Sequence, residues 1–315
     1  MHVVAVINYK GGVGKTTITA NLGAELAVRG QNVLMVDCDP QASLTFSFYR
    51  PEDWKQDLAG NKTLREWYTS FLNGDGSVRL EDLITTPDRA NKFLKNGGGR
   101  LDLIASHLLL TSVDLALATH LGGAGPTQSS ARYVRTLRRL ADGLREPAFA
   151  DYDFVLIDCP PNFNIVTRSA MVASDHILIP AKPDYLSTLG VKYLREQLIE
   201  LTDEYNNGIQ VGQLTGIHPI EPKFVGVVLN MYQTYRQEAT RELRHDINAM
   251  LRDIGDDLYV FKARVRESKS LFSRAAREGV PAVLNTGSRP EQVQVLVDLT
   301  TEFLNRIGVN LGVAS

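Results

Sequence analysis

Lys10-Gly11-Gly12-Val13-Gly14-Lys15-Thr16-Thr17 stands just after the apolar run Val3-Val4-Ala5-Val6-Ile7 and just before a helical pattern, and this octet decides the fold. Glycines at 11, 12 and 14 let the main chain take positive φ and approach a ligand closely, so consecutive N–H groups turn inward as a cradle for phosphate oxygens. A helix beginning near Lys15 aims its positive end at the same anion. In such a loop Lys15 supplies a point charge to the β- and γ-phosphates and the Thr16 hydroxyl is a Mg2+ ligand, while Thr17 adds an α-phosphate contact. The octet departs from the general G-x-x-x-x-G-K-[ST] pattern, because Tyr9 replaces the first glycine and a second lysine, Lys10, follows it. A plain glycine-rich turn is the bland alternative. The strand before and the helix after speak against it.

Beyond the loop, strand and helix patterns alternate. Strands are expected at 2–8, 32–37, 101–105, 152–158, 175–179 and 223–229, with a short one near 258–261. Helices are expected at 15–29, 41–48, 107–119, 131–145, 164–173, 187–205, 236–253, 268–278 and 289–307. Such alternation implies an α/β fold: a doubly wound, mainly parallel sheet with helices on both faces. The stretches 50–62, 95–99, 122–126 and 206–222 read as loops or insertions. No internal repeat or long linker divides the chain, so residues 1–315 are expected to form a single domain with insertions near 50–100, 120–130 and 206–222.

Composition sets limits on the function. The 315 residues are 43% hydrophobic and 22% charged, ordinary for a globular protein. No apolar run approaches the roughly 20 residues of a membrane span. Met1 leads straight into the first strand, so no signal peptide is expected. Cys38 and Cys159 read as buried free thiols rather than a disulfide. A formal net charge of −2 argues against a protein that coats DNA by bulk charge, so nucleic-acid binding would be local and conditional.

Open parallel sheets bind ligands at the carboxyl ends of their strands, which places Asp39 and Asp158 facing the loop. Asp158 can hold Mg2+ through its water shell. Asp37 shares a strand side with Asp39 and is assigned a supporting contact. Lys10 cannot easily bend back to its own γ-phosphate while Lys15 fills that space, but it can reach a nucleotide held by a second subunit. A solvated lysine is the alternative there.

These residues resemble the ParA/MinD family of deviant Walker ATPases, and its ParA branch in particular. Val33-Leu34-Met35-Val36-Asp37-Cys38-Asp39-Pro40-Gln41 is similar to the family's second strand with its D-x-D-P-Q ending. Tyr152-Asp153-Phe154-Val155-Leu156-Ile157-Asp158-Cys159-Pro160-Pro161 is similar to its Walker B strand and the switch that follows. The similarity of pattern covers nearly the whole chain.

The resemblance implies an ATP hydrolase with ATP and Mg2+ as cofactors, in which Lys10, Lys15 and Asp39 are catalytic. Gly11, Gly12, Val13, Gly14, Lys15, Thr16 and Thr17 would cradle the phosphates, and Thr16, Asp39 and Asp158 would serve the metal. By the same resemblance Asp39 orients the attacking water, Lys10 acts in trans across a homodimer that sandwiches two ATP molecules, and Pro160 and Pro161 stiffen the switch. Asn230 and Pro281, within Gly279-Val280-Pro281-Ala282-Val283, fall where the family surrounds adenine. A buried amide capping a strand end is the rival account for Asn230.

Residues 262–277 carry six basic side chains and one acid. In ParA-like proteins the corresponding loop and helix touch DNA phosphates, which nominates Arg264, Arg266, Lys269, Arg274 and Arg277; a solvated charged face is the alternative. A second stripe, Arg132, Arg135, Arg138 and Arg139, reads as a solvated face.

The implied function is a DNA-segregation ATPase of plasmid or chromosome partition. It would bind double-stranded DNA nonspecifically as the ATP dimer and be released when a ParB-like partner stimulates hydrolysis. That is a cytoplasmic role, nucleoid-associated in the ATP state. Positioning of protein cargo, or regulation, would use the same motifs. A MinD-like membrane role lacks support, since the last 13 residues, 303–315, hold one cation. An iron–sulfur reductase would need cysteines that are absent between Cys38 and Cys159. No helix-turn-helix precedes the first strand, so operator-specific repression is not expected.

Overall fold

Alternate residues of each central strand feed two separate cores, which is why these strands read as unbroken apolar runs. Val3 and Ala5 of β1 (His2–Val6) join one core while Val4 and Val6 join the other. Leu34 and Val36 of β2 (Val33–Asp37) part from Val33 and Met35 in the same way. In β4 (Phe154–Asp158), Val155 and Ile157 part from Phe154 and Leu156. The structure is a computed structural model that describes residues 1–94, 98–122, 126–232, 234–235, 238–239, 241–254, 258–268, 277–285 and 290–311.

Completing the sheet are β3 (Leu101–Ile104), β5 (His176–Ala181), β6 (Lys223–Tyr232) and, past a small ribbon of β7 (Thr234–Tyr235) and β8 (Glu238–Ala239), β9 (Val265–Arg266). The order is β3-β2-β4-β1-β5-β6-β9 and every pairing is parallel, as the alternating pattern predicts. Val6 and Asp37 both stand level with Asp158, so β1, β2 and β4 end together and their carboxyl ends form one rim.

Among the described residues, one face of the sheet is covered by α1 (Lys15–Val28) and the helix Pro290–Arg306, through Ile18, Leu22, Leu296 and Phe303. Helices α2 (Ser43–Phe46), α3 (Pro51–Asp57), α4 (Leu64–Asn73) and α5 (Asp88–Asn91) come next in the chain. The opposite core takes Trp67 of α4, Leu110 of α6 (Leu110–Leu121), Val134 of α7 (Pro126–Leu137) and Leu140 of α8 (Arg139–Leu144). It also takes Val166 of α9 (Ile165–Ala173), Leu194 of α10 (Tyr185–Val211) and Ile247 of α11 (Arg241–Ile254).

Several expectations are corrected. The stretch 50–62 is not all loop: Pro51 at the first helical position, with Glu52 and Asp53 in the first turn, starts α3, whose lack of any buried residue hides it from apolar periodicity. The insertion expected near 50–100 also holds α4, whose Leu64, Trp67, Tyr68 and Phe71 keep the i, i+3, i+4, i+7 spacing of a helix face turned to the core. Helix α10 runs on to Val211, shortening the loop expected at 206–222, and Gly208 and Ile209 are buried along that extension. The helix expected at 131–145 is two, parted at Arg138.

The strand expected near 258–261 reduces to a single bridge of Val260 to Val227, flanked by backbone bonds at 2.7 and 2.9 Å, and the named strand at that edge is β9. Most of the helix expected at 268–278 lies outside the described residues.

Candidate functional site

The loop keeps its shape through backbone only glycine adopts easily and through one buried amide on each side. Gly12 and Gly14 sit at φ +67° and +86°. A Cβ on Gly14 would meet Asn230 Nδ2 at 1.9 Å. That amide donates to Val13 O at 2.8 Å, tying β6 to the loop, and its Oδ1 accepts from Met231 N. Asn8, fully buried, donates to Pro180 O and accepts from Lys10 N at 3.0 Å, while its carbonyl accepts from Lys15 Nζ at 3.2 Å.

Helix α1 starts without a side-chain cap and without an acid in its first turn. Its N-terminal N–H groups therefore face the loop with no protein anion hydrogen-bonded to them among the described residues, the arrangement a phosphate fits. Burial lowers the Lys15 ammonium below its ordinary value, against the pull of the Asp158 and Asp39 charges. An anionic ligand would favour the charged form.

The acidic strand ends converge on this loop. Asp158 accepts from Thr16 Oγ1 at 2.7 Å and from Thr19 Oγ1 at 3.3 Å. Burial pushes its carboxyl up to about 7, the two hydroxyls and Lys15 notwithstanding. Asp37 is raised as well, by burial first and then by the charge of Asp158. Its carboxylate takes the backbone N–H and hydroxyl of Thr45, both at 2.7 Å, and the N–H of Asp39 at 3.1 Å, the supporting contact expected of it.

Asp39, half-buried, accepts from Gln41 N and lies close enough for its charge to act on Lys15 and Asp158. Among the described residues no group of three or more His, Cys, Asp or Glu gathers around a metal. Thr16 and Asp158 suit Mg2+, which keeps several waters and leans on substrate phosphates. Cys38 and Cys159 are free and buried, and burial pushes both thiols up, away from reactivity.

Lys10 does not point into its own loop. Its Nζ pairs with Asp184 Oδ2 at 2.6 Å, both side chains about one third exposed. The other oxygen of Asp184 accepts from Ser187 N and so caps α10. Burial alone would raise the Asp184 carboxyl, but the donors on Lys10 and Ser187 leave it below its ordinary value. Sequence reasoning missed this partner; an Asp preceding a helix signals a cap but not what else it binds.

Beside the pair, α10 exposes Tyr185 at 69%, Leu186 at 65%, Leu189 at 43% and Tyr193 at 50%. Tyr9, which replaces the first motif glycine, packs its ring 5.0 Å from Tyr193 and 6.1 Å from Phe163, just past Pro160 and Pro161.

The remaining nominated residues lie apart from this cluster or outside the description. Pro281 caps a short turn whose Val283 N–H donates to Asn21 of α1. Arg264 and Arg277 are exposed and Arg266 is half-buried in β9. Lys269 and Arg274 lie outside the described residues. Within the second basic stripe Arg138 pairs with Asp142, Arg139 lies over Trp67 and Arg132 donates to backbone oxygens, so three of its four members are held. A cavity of about 670 Å³ lined by Trp67, Leu80, Arg139 and Glu146 shares no residue with the loop or the acidic strand ends.

Residues 1–211 match the model of a family described as an AAA domain. The chain is similar to the chromosome partitioning protein ParA of Caulobacter vibrioides, 29% identical over 272 residues that span 86% of this chain and 84% of that one. It is also similar to the sporulation initiation inhibitor protein Soj of Bacillus subtilis, 28% identical over 301 residues, 95% of this chain and 97% of that one. Among solved structures, the ATP complex of a Cyanothece McdA variant superposes with a TM-score of 0.69 at 20% identity, covering 98% of this chain and 97% of that one, a likeness of fold. Among the described residues no helix is long and apolar enough to cross a membrane.

Proposed function

The chain belongs to this AAA-domain family and is a ParA/MinD-type P-loop ATPase, and from that premise we propose that it is a partition ATPase that pairs around ATP, binds DNA in the paired state and is released by partner-stimulated hydrolysis. Gly11, Gly12, Val13, Gly14, Lys15, Thr16 and Thr17 would hold the triphosphate, and Thr16, Asp39 and Asp158 would serve Mg2+. Bound Mg2+ neutralises charge on the β- and γ-phosphates. Asp39 orients the attacking water. Asn230 braces the loop beside the base, with the Pro281 turn nearby. Lys10 leaves Asp184 to serve the nucleotide of the second subunit. Arg264, Arg266 and Arg277, with Lys269 and Arg274, contact DNA phosphates; pairing two such patches doubles the contacts and steepens the dependence on salt.

The observation that carries this reading is a second loop lysine held at the rim, outside its own phosphate cradle, beside an exposed apolar row on α10. Its test is sedimentation and duplex-DNA binding with ADP and with a slowly hydrolysed ATP analogue, across a salt series. Pairing and binding are expected with the analogue alone; equal behaviour with both nucleotides rejects the switch. Lys10→Ala is expected to lower the hydrolysis rate by about 10³-fold, the low end for a charge supplied in trans. Normal pairing and turnover in that variant would refute the trans role.

A further inference from the structure

Asp39 sits on the loop after β2, and what fixes that loop comes from a distant part of the chain. Its carbonyl accepts two hydrogen bonds, from Ala42 N at 2.8 Å and from Ser106 Oγ at 2.7 Å. Ala42 itself holds φ +53°, a conformation an alanine adopts only when its surroundings impose it. Ser106 follows β3, is fully buried and is pinned from two further sides. Its N–H donates to Thr45 Oγ1 at 3.0 Å and its carbonyl accepts from Trp54 Nε1 at 3.1 Å. Thr45 in turn donates to the Asp37 carboxylate, whose other oxygen receives Asp39 N. The result is a closed ring, Asp37–Thr45–Ser106–Asp39, that grips the Asp39 backbone at both its N–H and its C=O. The Asp39 side chain is held only by Gln41 N on Oδ1, and Oδ2 has no hydrogen bond among the described residues.

We propose that Ser106 is a positioning residue for hydrolysis: its hydroxyl locks the Asp39 carbonyl and thereby aims the Asp39 carboxylate at the attacking water. This rests on the assignment of Asp39 above and adds to it a residue outside every motif. The hydrogen bonds of Ser106 go to Thr45, Trp54 and the Asp39 backbone and none goes to the phosphate loop, so its hydroxyl is expected to act on the chemical step through Asp39 rather than on nucleotide binding. Carboxylate aim is stringent, since a misplacement of about 1 Å can lower a rate about a hundredfold.

The test compares Ser106→Ala, Ser106→Thr and Asp39→Ala in the full chain, measuring Mg-ATP hydrolysis with duplex DNA present, nucleotide affinity and thermal unfolding. Ser106→Ala deletes one oxygen and leaves the backbone bond to Thr45 intact. Its kcat is expected to fall about ten- to a hundredfold, with nucleotide affinity within about twofold of the parent. Ser106→Thr keeps the hydroxyl and is expected to recover most of the rate. If Ser106→Ala fails to fold, Ser106→Cys, of similar size but a weak donor, is read by the same criteria.

The proposal is overturned if kcat stays within about twofold of the parent, or if rate and nucleotide affinity fall together. Asp39→Ala separates the two readings. Lost hydrolysis there beside an unimpaired Ser106→Ala refutes the clamp alone, whereas hydrolysis persisting in Asp39→Ala removes the assignment of Asp39 and the clamp with it.

Discussion

Asp184 shows how a single side chain serves two masters, a cap for α10 and a counter-charge for Lys10. Asp184→Ala is expected to destabilise the protein by about 1 kcal/mol, mostly through the lost cap. Asp184→Asn keeps the cap and loses a partly exposed ion pair, a loss of only a few tenths to about 1 kcal/mol; urea unfolding distinguishes the two. Asp158 gives the opposite sign of pH response to an ordinary paired carboxylate. Its folded value of about 7 lies above the unfolded one, so between about pH 4 and 7 the nucleotide-free fold holds a proton that the unfolded chain has released. Stability is therefore expected to fall as pH rises through that window, with Asp37 acting in the same sense, and Asp158→Asn should flatten part of the slope in a thermal-melt series. At this scale the octet, Asp39 and Asp158 were legible because each is a motif residue at a strand end. Asp184 and Ser106 were not, since their roles depend on neighbours 174 and 67 positions away in sequence.

Helix α10 carries the second lesson. Leu194, Leu198 and Leu201 of its inner face are buried, while Tyr185, Leu186 and Leu189 at its start face outward next to Lys10. On the reading proposed here that outward row is the face a second subunit covers. Leu186→Glu is expected to abolish ATP-analogue-induced pairing in sedimentation while nucleotide affinity stays unchanged; pairing at parental strength would remove the face from the interface. The central strands were read correctly because burial on both sides leaves an unbroken apolar signature, and α1 because the loop announces it. Helix α3 escaped because it buries no side chain and so carries no period to find. The division between α7 and α8 escaped because apolar positions continue across it, Leu137 and Leu140 both lying in one core.

For the molecule as a whole, alternation of strand and helix predicted a parallel sheet, but not which strands would be neighbours. That order is set by long-range pairing, with β1 between β4 and β5. On the proposed reading, DNA affinity belongs to the pair of subunits rather than to one. Arg264→Ala is expected to weaken binding about equally across DNA sequences and to reduce the slope of log affinity against log salt by about 2, one contact from each subunit. An unchanged slope would exclude Arg264 from the contact. The Asn230–Val13 bond has a further consequence for how the protein comes into being. It joins residues 217 positions apart, and at about 5–20 residues per second their emergence from a ribosome is separated by roughly 10–45 s. Throughout that interval the nascent polypeptide displays its glycine octet without this bond, so the loop's full set of contacts closes only after β6 has emerged.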